Sequence, residues 1–308
     1  MHLAADIGGT KSLIALAEGG RIVYQRHYFN DGYASLPALL AAFLADAGSA
    51  GHEGAARNSC LAVAGPVAGS RARLTNRPWE ADAEALAAAL PLGEVLLVND
   101  FVATAAGLPT LEVKDLRPLQ AGDFDAAAPR LVLGPGTGLG VAAWLPGGRV
   151  VASEGGHVGF APADEEQREL LRFLAPHGER VSAERIVSGP GLAECHRYCS
   201  GGARLDPAEI TRCALDDGDA VCLRALDLFL AVFGAFAGDM AMAFIARGGV
   251  HLAGGIVPKV LPRLGSGGFL AAFNAKAEHT GLAAAMPVSA VLCDDLPLRG
   301  ALEIVRRV

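Results

Sequence analysis

Between Leu131 and Val141 the chain reads Leu-Val-Leu-Gly-Pro-Gly-Thr-Gly-Leu-Gly-Val, with a glycine at every second position from Gly134 to Gly140. Apolar β-formers flank residues that tolerate unusual backbone angles, so the pattern predicts strand, bend, strand. Glycines at a bend also let bare N–H groups approach an anion that side chains would otherwise block. Read alone, the stretch is an ordinary glycine-rich hairpin.

The start of the chain carries an echo of it. Leu3 to Ile7 leads through Gly8-Gly9-Thr10-Lys11 into the apolar run Ser12 to Ala17, then Gly19-Gly20-Arg21-Ile22-Val23. In the second copy, Gly136-Thr137 leads through an apolar run to Gly147-Gly148-Arg149-Val150-Val151. The Gly-Thr pairs stand 127 positions apart and the Gly-Gly-Arg turns 128, so a single inserted residue brings both into register. Two copies of strand, loop, strand, tight turn, strand suggest a duplicated domain with a nucleotide between its halves, the alternative being a coincidence of glycine-rich hairpins.

The totals fit that expectation. A chain of 308 residues is long enough for two cores. It is 52% apolar with 19% charged residues, which describes a globular protein. A net charge of −7 argues against a nucleic-acid surface, and Arg306-Arg307 is too small a basic patch to reverse that. No basic stretch precedes the first apolar run, which Asp6 interrupts, so no signal peptide is expected. Leu131 to Gly148 is uncharged, but its glycines and prolines could not satisfy their backbone in lipid. Ala225 to Ile245 carries Asp227 and Asp239 and reads as a core helix. The expectation is a soluble, cytoplasmic protein with no nucleic-acid or membrane partner. None of the six cysteines forms a C-x-x-C pair, so free thiols are expected rather than a zinc ribbon. Cys195 and Cys199, four apart around His196, are read the same way.

Along the chain, helices are expected at Leu36 to Ala47, Ala81 to Leu90 and from Phe101 to a stop at Gly107. Strands are expected at Cys60 to Ala64, Arg71 to Thr75 and Val95 to Val98. With the opening strands these make one α/β lobe over residues 1–110, with a boundary near Pro109 to Pro118. A second, larger lobe over 111–295 adds helices at Glu165 to Leu174, Gly191 to Tyr198, Pro207 to Leu215 and Asp219 to Ala246. It ends with strand Gly249 to Ala253, a helix from Ile256, and strand Val288 to Leu292. A last helix, Leu298 to Arg307 within about 296–308, is expected to return to the first lobe.

Several residues can carry chemistry. Asp6 ends a buried strand beside Gly8-Gly9-Thr10, where a carboxylate can hold a hydrated Mg²⁺ and the loop amides and Thr10 hydroxyl can meet phosphate oxygens. A plain turn aspartate is the other reading. Lys11 does not make this a P-loop, because the G-x-x-x-x-G-K-[ST] spacing is missing. Asp100 follows a strand at its carboxyl end, where α/β folds place their chemistry, and could accept a hydroxyl proton. On that residue alone, helix N-capping is the stronger reading. Glu154, His157 and Glu184 place two carboxylates and an imidazole in apolar surroundings, a set able to hold a polyhydroxylated ligand. His157 taken singly is equally a core histidine or a metal ligand.

Together, Asp6-Ile7-Gly8-Gly9-Thr10, Val98-Asn99-Asp100-Phe101, Leu133 to Gly140, Glu154-Gly155-Gly156-His157-Val158, Glu184 to Gly191 and Ala253-Gly254-Gly255-Ile256 resemble bacterial glucokinases. The resemblance runs from residue 3 to about residue 262 and weakly beyond, and the order and spacing of six motifs make it specific. It implies a two-lobed, duplicated actin-like ATPase (ribonuclease H-like) α/β fold, each lobe a mixed sheet flanked by helices. It also implies ATP and Mg²⁺, glucose as substrate, and a homodimer. By the same resemblance Asp100 would be the general base on the sugar 6-hydroxyl. Asn99, Glu154, His157 and Glu184 would hold the other hydroxyls. Asp6, Ile7, Gly8, Gly9, Thr10 and Lys11, with Gly134, Gly136, Thr137 and Gly138, would flank the phosphates. Gly254 and Gly255 would lie near the adenosine, and Asp6 would meet the metal through water. The related branch of repressors, open-reading-frame proteins and kinases carries a C-x-C-G-x-x-G-C zinc loop. That loop is missing here, which favours His157 as a sugar contact. Gly159 stands where similar proteins often have Asp, and Lys11 where they often have Asn, so sugar preference and nucleotide affinity follow less directly than reaction type. Alternatives are a kinase for fructose, mannose or an N-acetylhexosamine, a non-catalytic sugar sensor on the same fold, and a chaperone-like ATPase. Whether ATP or polyphosphate is the donor stays open on sequence.

Overall fold

The computed structural model describes residues 1–308. In chain order the elements are β1 (His2–Ile7), β2 (Lys11–Glu18), β3 (Arg21–Phe29), α1 (Leu36–Ser49), β4 (Asn58–Val63), β5 (Val67–Ala68), β6 (Arg71–Arg73), β7 (Glu80–Asp82), α2 (Ala83–Ala89), β8 (Glu94–Asn99) and α3 (Asp100–Gly107). Then follow β9 (Leu116–Gln120), β10 (Arg130–Pro135), β11 (Leu139–Leu145), β12 (Arg149–Ser153), α4 (Glu165–Leu174), α5 (Gly189–Cys199), α6 (Pro207–Arg212) and α7 (Ala220–Phe244). Last come β13 (Val250–Leu252), α8 (Val257–Leu264), α9 (Gly268–Asn274), α10 (Thr280–Ala284), β14 (Val288–Val291) and α11 (Leu296–Val305). The chain divides into two compact units, Met1–Leu111 with Cys293–Val308, and Glu112–Leu292.

The first unit is built on a sheet of order β3-β2-β1-β4-β8, antiparallel among the first three strands and parallel from β1 to β8. Both faces of β1 are covered, so its side chains sort by the two-residue period of a strand. Leu3, Ala5 and Ile7 pack with the α1 stripe Leu36, Leu39, Leu40 and Phe43. Ala4 faces the opposite cluster, which holds Ala103 of α3 and Leu298, Ala301, Leu302 and Val305 of α11. α1 starts where the Ser35 hydroxyl accepts the Ala38 N–H, with Pro37 in the first turn, a position that costs no hydrogen bond. α3 and α11 touch backbone to backbone, because a Cβ at Gly300 would overlap the Ala103 carbonyl. That contact seats the helix whose first residue is Asp100. β5, β6 and β7 form a separate small sheet.

The second unit has a sheet of order β12-β11-β10-β13-β14-β9. Its core gathers Leu131, Leu133, Val141 and Val250 under Phe229 and Phe233 of α7 and Phe269 and Phe273 of α9. α7 is long and apolar enough to cross a bilayer by length and composition. Here its apolar stripe is buried in the unit, while Asp227 and Asp239 pair on its flank with Arg263 and Lys276 at 2.6 Å.

Three local boundaries differ from the sequence expectation. The helix expected at Pro207 to Leu215 is α-helical only to Arg212 and continues as a π-turn over Cys213–Asp217. The helix expected from Ala81 starts at Ala83, because Asp82 accepts the Glu84 and Ala85 N–H groups as its cap. Part of the connector expected at Pro109 to Pro118 is the edge strand β9, paired antiparallel with β14.

Candidate functional site

The repeated unit exists as two antiparallel meanders, β1-β2-β3 and β10-β11-β12, each with a three-residue loop after its first strand. Gly19-Gly20 and Gly147-Gly148 all have positive φ, which fits tight turns between right-twisted strands.

In the first unit, parallel pairing aligns the carboxyl ends of three strands, with Ile7 beside Val63 and Val63 beside Asn99. Asp6 and Asp100 therefore stand at ends of strands about 10 Å apart across β4. The reading of Asp100 as the helix cap needs correction. Asn99 is the N-cap of α3, its Oδ1 accepting the Phe101 N–H at 2.9 Å and its Nδ2 donating to the Gly65 carbonyl at 3.2 Å. Asp100 is the first helical residue, with Oδ1 also 2.9 Å from the Phe101 nitrogen. A carboxylate there gains from the positive end of the helix.

Burial, then the charges of Asp100 and Asp294, push the Asp6 carboxyl up to about 7. Asp294 was missed on sequence. It lies three residues past β14, in Cys293-Asp294-Asp295, and its place near the carboxyl end of a parallel strand was the available signal. Three carboxylates that share a region of unfavourable charge suit a divalent cation. Since no three His, Cys, Asp or Glu side chains converge as ligands, such an ion would meet Asp6 through water. Ile7 is corrected as well. Its side chain is fully buried in the core and its carbonyl accepts the Ala64 N–H, so it supports the loop without facing a ligand. Lys11 opens β2 with its ammonium 5.1 Å from the Phe29 ring centre.

In the second unit Gly136, Thr137 and Gly138 form the loop, whereas Gly134 lies within β10, opposite Gly140. The bare Gly134 lets the Ala253 carbonyl press against its backbone, which brings Gly254, at φ +88°, beside Pro135. The loop is closed by Gly136 N–H to Gly138 O at 2.7 Å. It is joined to the start of α5 by Gly189 N–H to Gly136 O at 2.8 Å. Ser188 caps α5 by accepting the Gly191 N–H at 3.1 Å. That helix start, for which no role was read from sequence, adds N–H groups and a partial positive charge beside the loop.

Glu184 has two neighbours in this unit. Its Oε2 accepts the Leu139 N–H at 2.8 Å, just after the loop, and its Oε1 lies 3.9 Å from His157 Nε2. Glu154 Oε2 lies 4.0 Å from the same nitrogen. The structure thus gathers Glu154, His157 and Glu184 into one group with the first two largely exposed, open to a ligand rich in hydroxyls. Beside them Gly159 has open space where a side chain would project.

A sequence profile described as Glucokinase matches residues 3–308. The glucokinase of Ralstonia nicotianae is 38% identical, over 93% of this chain and 90% of its own. That of a Nostoc strain is 35% identical over 97% of both chains. Among solved structures, a glucokinase from an Antarctic psychrotroph superposes with a TM-score of 0.86 at 30% identity, covering 99% of this chain and 98% of that one.

Proposed function

The chain belongs to the glucokinase family and is a hexose kinase, and on that premise we propose that it transfers the γ-phosphoryl group of ATP to the 6-hydroxyl of D-glucose with Asp100 as general base. The observation that carries the base assignment is the division of labour at the end of β8. Asn99 takes over the helix cap, and the next residue is a carboxylate at a helix start whose charge reaches Asp6.

The reaction balances simply. The sugar oxygen attacks the γ-phosphorus, the bond to the bridging oxygen of ADP breaks, and the hydroxyl proton passes to the Asp100 carboxylate. Base catalysis of this kind contributes about 10²–10⁴ in rate, the rest coming from positioning and charge stabilisation. Glu154, His157, Glu184 and Asn99 hold the remaining hydroxyls. The amides of the two glycine loops meet the phosphates, and Gly254 and Gly255 lie near the adenosine. Asp6 would hold Mg²⁺, which would supply charge neutralisation of the triphosphate. The family resemblance supports a cytoplasmic homodimer.

The open space at Gly159 favours one second reading, a kinase of broader hexose preference. A coupled ADP assay over glucose, fructose, mannose and an N-acetylhexosamine, with ATP and polyphosphate in parallel, separates the two. Glucose with ATP is expected to give the highest kcat/KM. A higher value for another sugar or for polyphosphate contradicts the assignment.

A further inference from the structure

A loop that offers N–H groups to an anion must turn its carbonyl oxygens elsewhere, and those oxygens need partners of their own. In Gly8-Gly9-Thr10 all three consecutive carbonyls are taken. The Gly8 oxygen accepts Asn30 Nδ2 at 2.8 Å, and the Thr10 oxygen accepts the Asn30 backbone N–H at 2.9 Å. Between them the Gly9 oxygen accepts Arg77 Nε at 2.5 Å.

Asn30 is fully buried, and the Ser12 hydroxyl donates to its Oδ1 at 2.8 Å, which fixes its amide group the right way round. The Arg77 guanidinium lies over the Trp79 ring, 5.0 Å from its centre. Its terminal nitrogens bind the Asn30 carbonyl at 3.4 Å and the Asp31 carboxylate. The two side chains are therefore linked to each other as well as to the loop. The Gly8 N–H is spent on the Lys11 carbonyl at 3.1 Å. Burying a whole asparagine and most of an arginine is costly unless every polar atom is used. One tight turn would not require side chains from two remote segments.

We propose that Asn30 and Arg77 are positioning residues, a carbonyl clamp that holds the Gly9 and Thr10 amides preorganised for the donor's phosphate groups. This rests on reading Gly8–Thr10 as a phosphate loop, and it adds a residue pair that the sequence motifs do not contain.

The test is steady-state kinetics of Arg77→Ala, Arg77→Lys and Asn30→Asp, each checked for wild-type thermal unfolding. Hydrogen exchange of residues 8–11 is followed with and without a non-hydrolysable ATP analogue. Arg77→Ala is expected to raise the KM for ATP about ten- to hundredfold, the worth of one lost charge-assisted bond, with the KM for glucose within about twofold. Arg77→Lys recovers part of the loss, because it keeps a donor without the fork. Asn30→Asp, which puts an acceptor against the Gly8 carbonyl, behaves like Arg77→Ala. If Asn30→Asp fails to fold, the two Arg77 variants decide alone. An unchanged KM for ATP in folded Arg77→Ala overturns the clamp, as does a parallel rise in both KM values. Analogue protection of Gly9 and Thr10 in the wild type, combined with that unchanged KM, refutes the clamp alone. No protection in the wild type refutes the phosphate-loop reading itself.

Discussion

The loops Gly8–Thr10 and Gly136–Gly138 occupy the same place in a repeated meander, yet they are held by different means. The first is braced by side chains from outside the repeat, Asn30 and Arg77, each binding loop carbonyls. The second is held by its own backbone, by Gly189 at the start of α5, and by Glu184 on Leu139. The duplication preserved the strands and the double-glycine turns, while the supports diverged. The difference has a functional consequence. Glu184 touches both the second loop and the group around His157, so in that unit the loop and the candidate sugar contacts share a residue. Asn30 and Arg77 touch only the first loop and its surroundings.

The contrast is most exposed to Glu184→Ala. It removes a charged hydrogen bond beside the loop and a proposed sugar contact together, so kcat/KM is expected to fall about a hundredfold or more, with KM rising for both glucose and ATP. A rise for glucose alone breaks the coupling assigned to Glu184. A rise for ATP alone, the pattern expected of Arg77→Ala, removes the contrast altogether.

A smaller effect tests the electrostatics beside the first loop. Asp6 has its carboxyl raised to about 7 by burial, Asp100 and Asp294, so the folded state resists its ionisation. The unfolded chain ionises it near the ordinary 3.8, and stability is therefore lost as pH climbs between those values. Asp6→Asn removes that penalty. It is expected to raise the thermal midpoint by about 2–4 °C at pH 8 and to leave it unchanged at pH 3.5, read by calorimetry in both buffers. An equal gain at both pH values points to packing instead of charge. Added Mg²⁺ should stabilise the wild type at pH 8 more than the variant.

Much of this was legible in the sequence because it is written in local pattern. Alternating glycines mark the loops, a Gly-Gly-Arg pair marks each turn, and an acid after an apolar run marks the end of β8. The α/β class followed from the order of strands and helices, and the grouping of Glu154, His157 and Glu184 from their residue types, with the family motifs adding the roles. What escaped was non-local. Asn30 and Arg77 carry no motif and matter only because β3 and the segment before β7 return beside Gly9. Asp294 matters through charge acting across space, which a linear reading cannot sum. Asn99 and Asp100 are both competent helix caps, and the backbone path at the end of β8 decides that Asn99 serves. β9 was hidden in a connector because an edge strand containing Pro118 has a weak periodic signal.

The most direct test is Asp100→Asn, assayed for glucose-dependent ADP release and, by calorimetry, for glucose binding. The substitution keeps size and hydrogen-bonding reach but removes the proton acceptor. A fall in kcat of about 10²–10⁴ with glucose affinity within about twofold is predicted. Turnover near the wild-type rate would contradict the base assignment, and lost glucose binding with kcat intact would show that Asp100 holds the sugar instead of taking its proton.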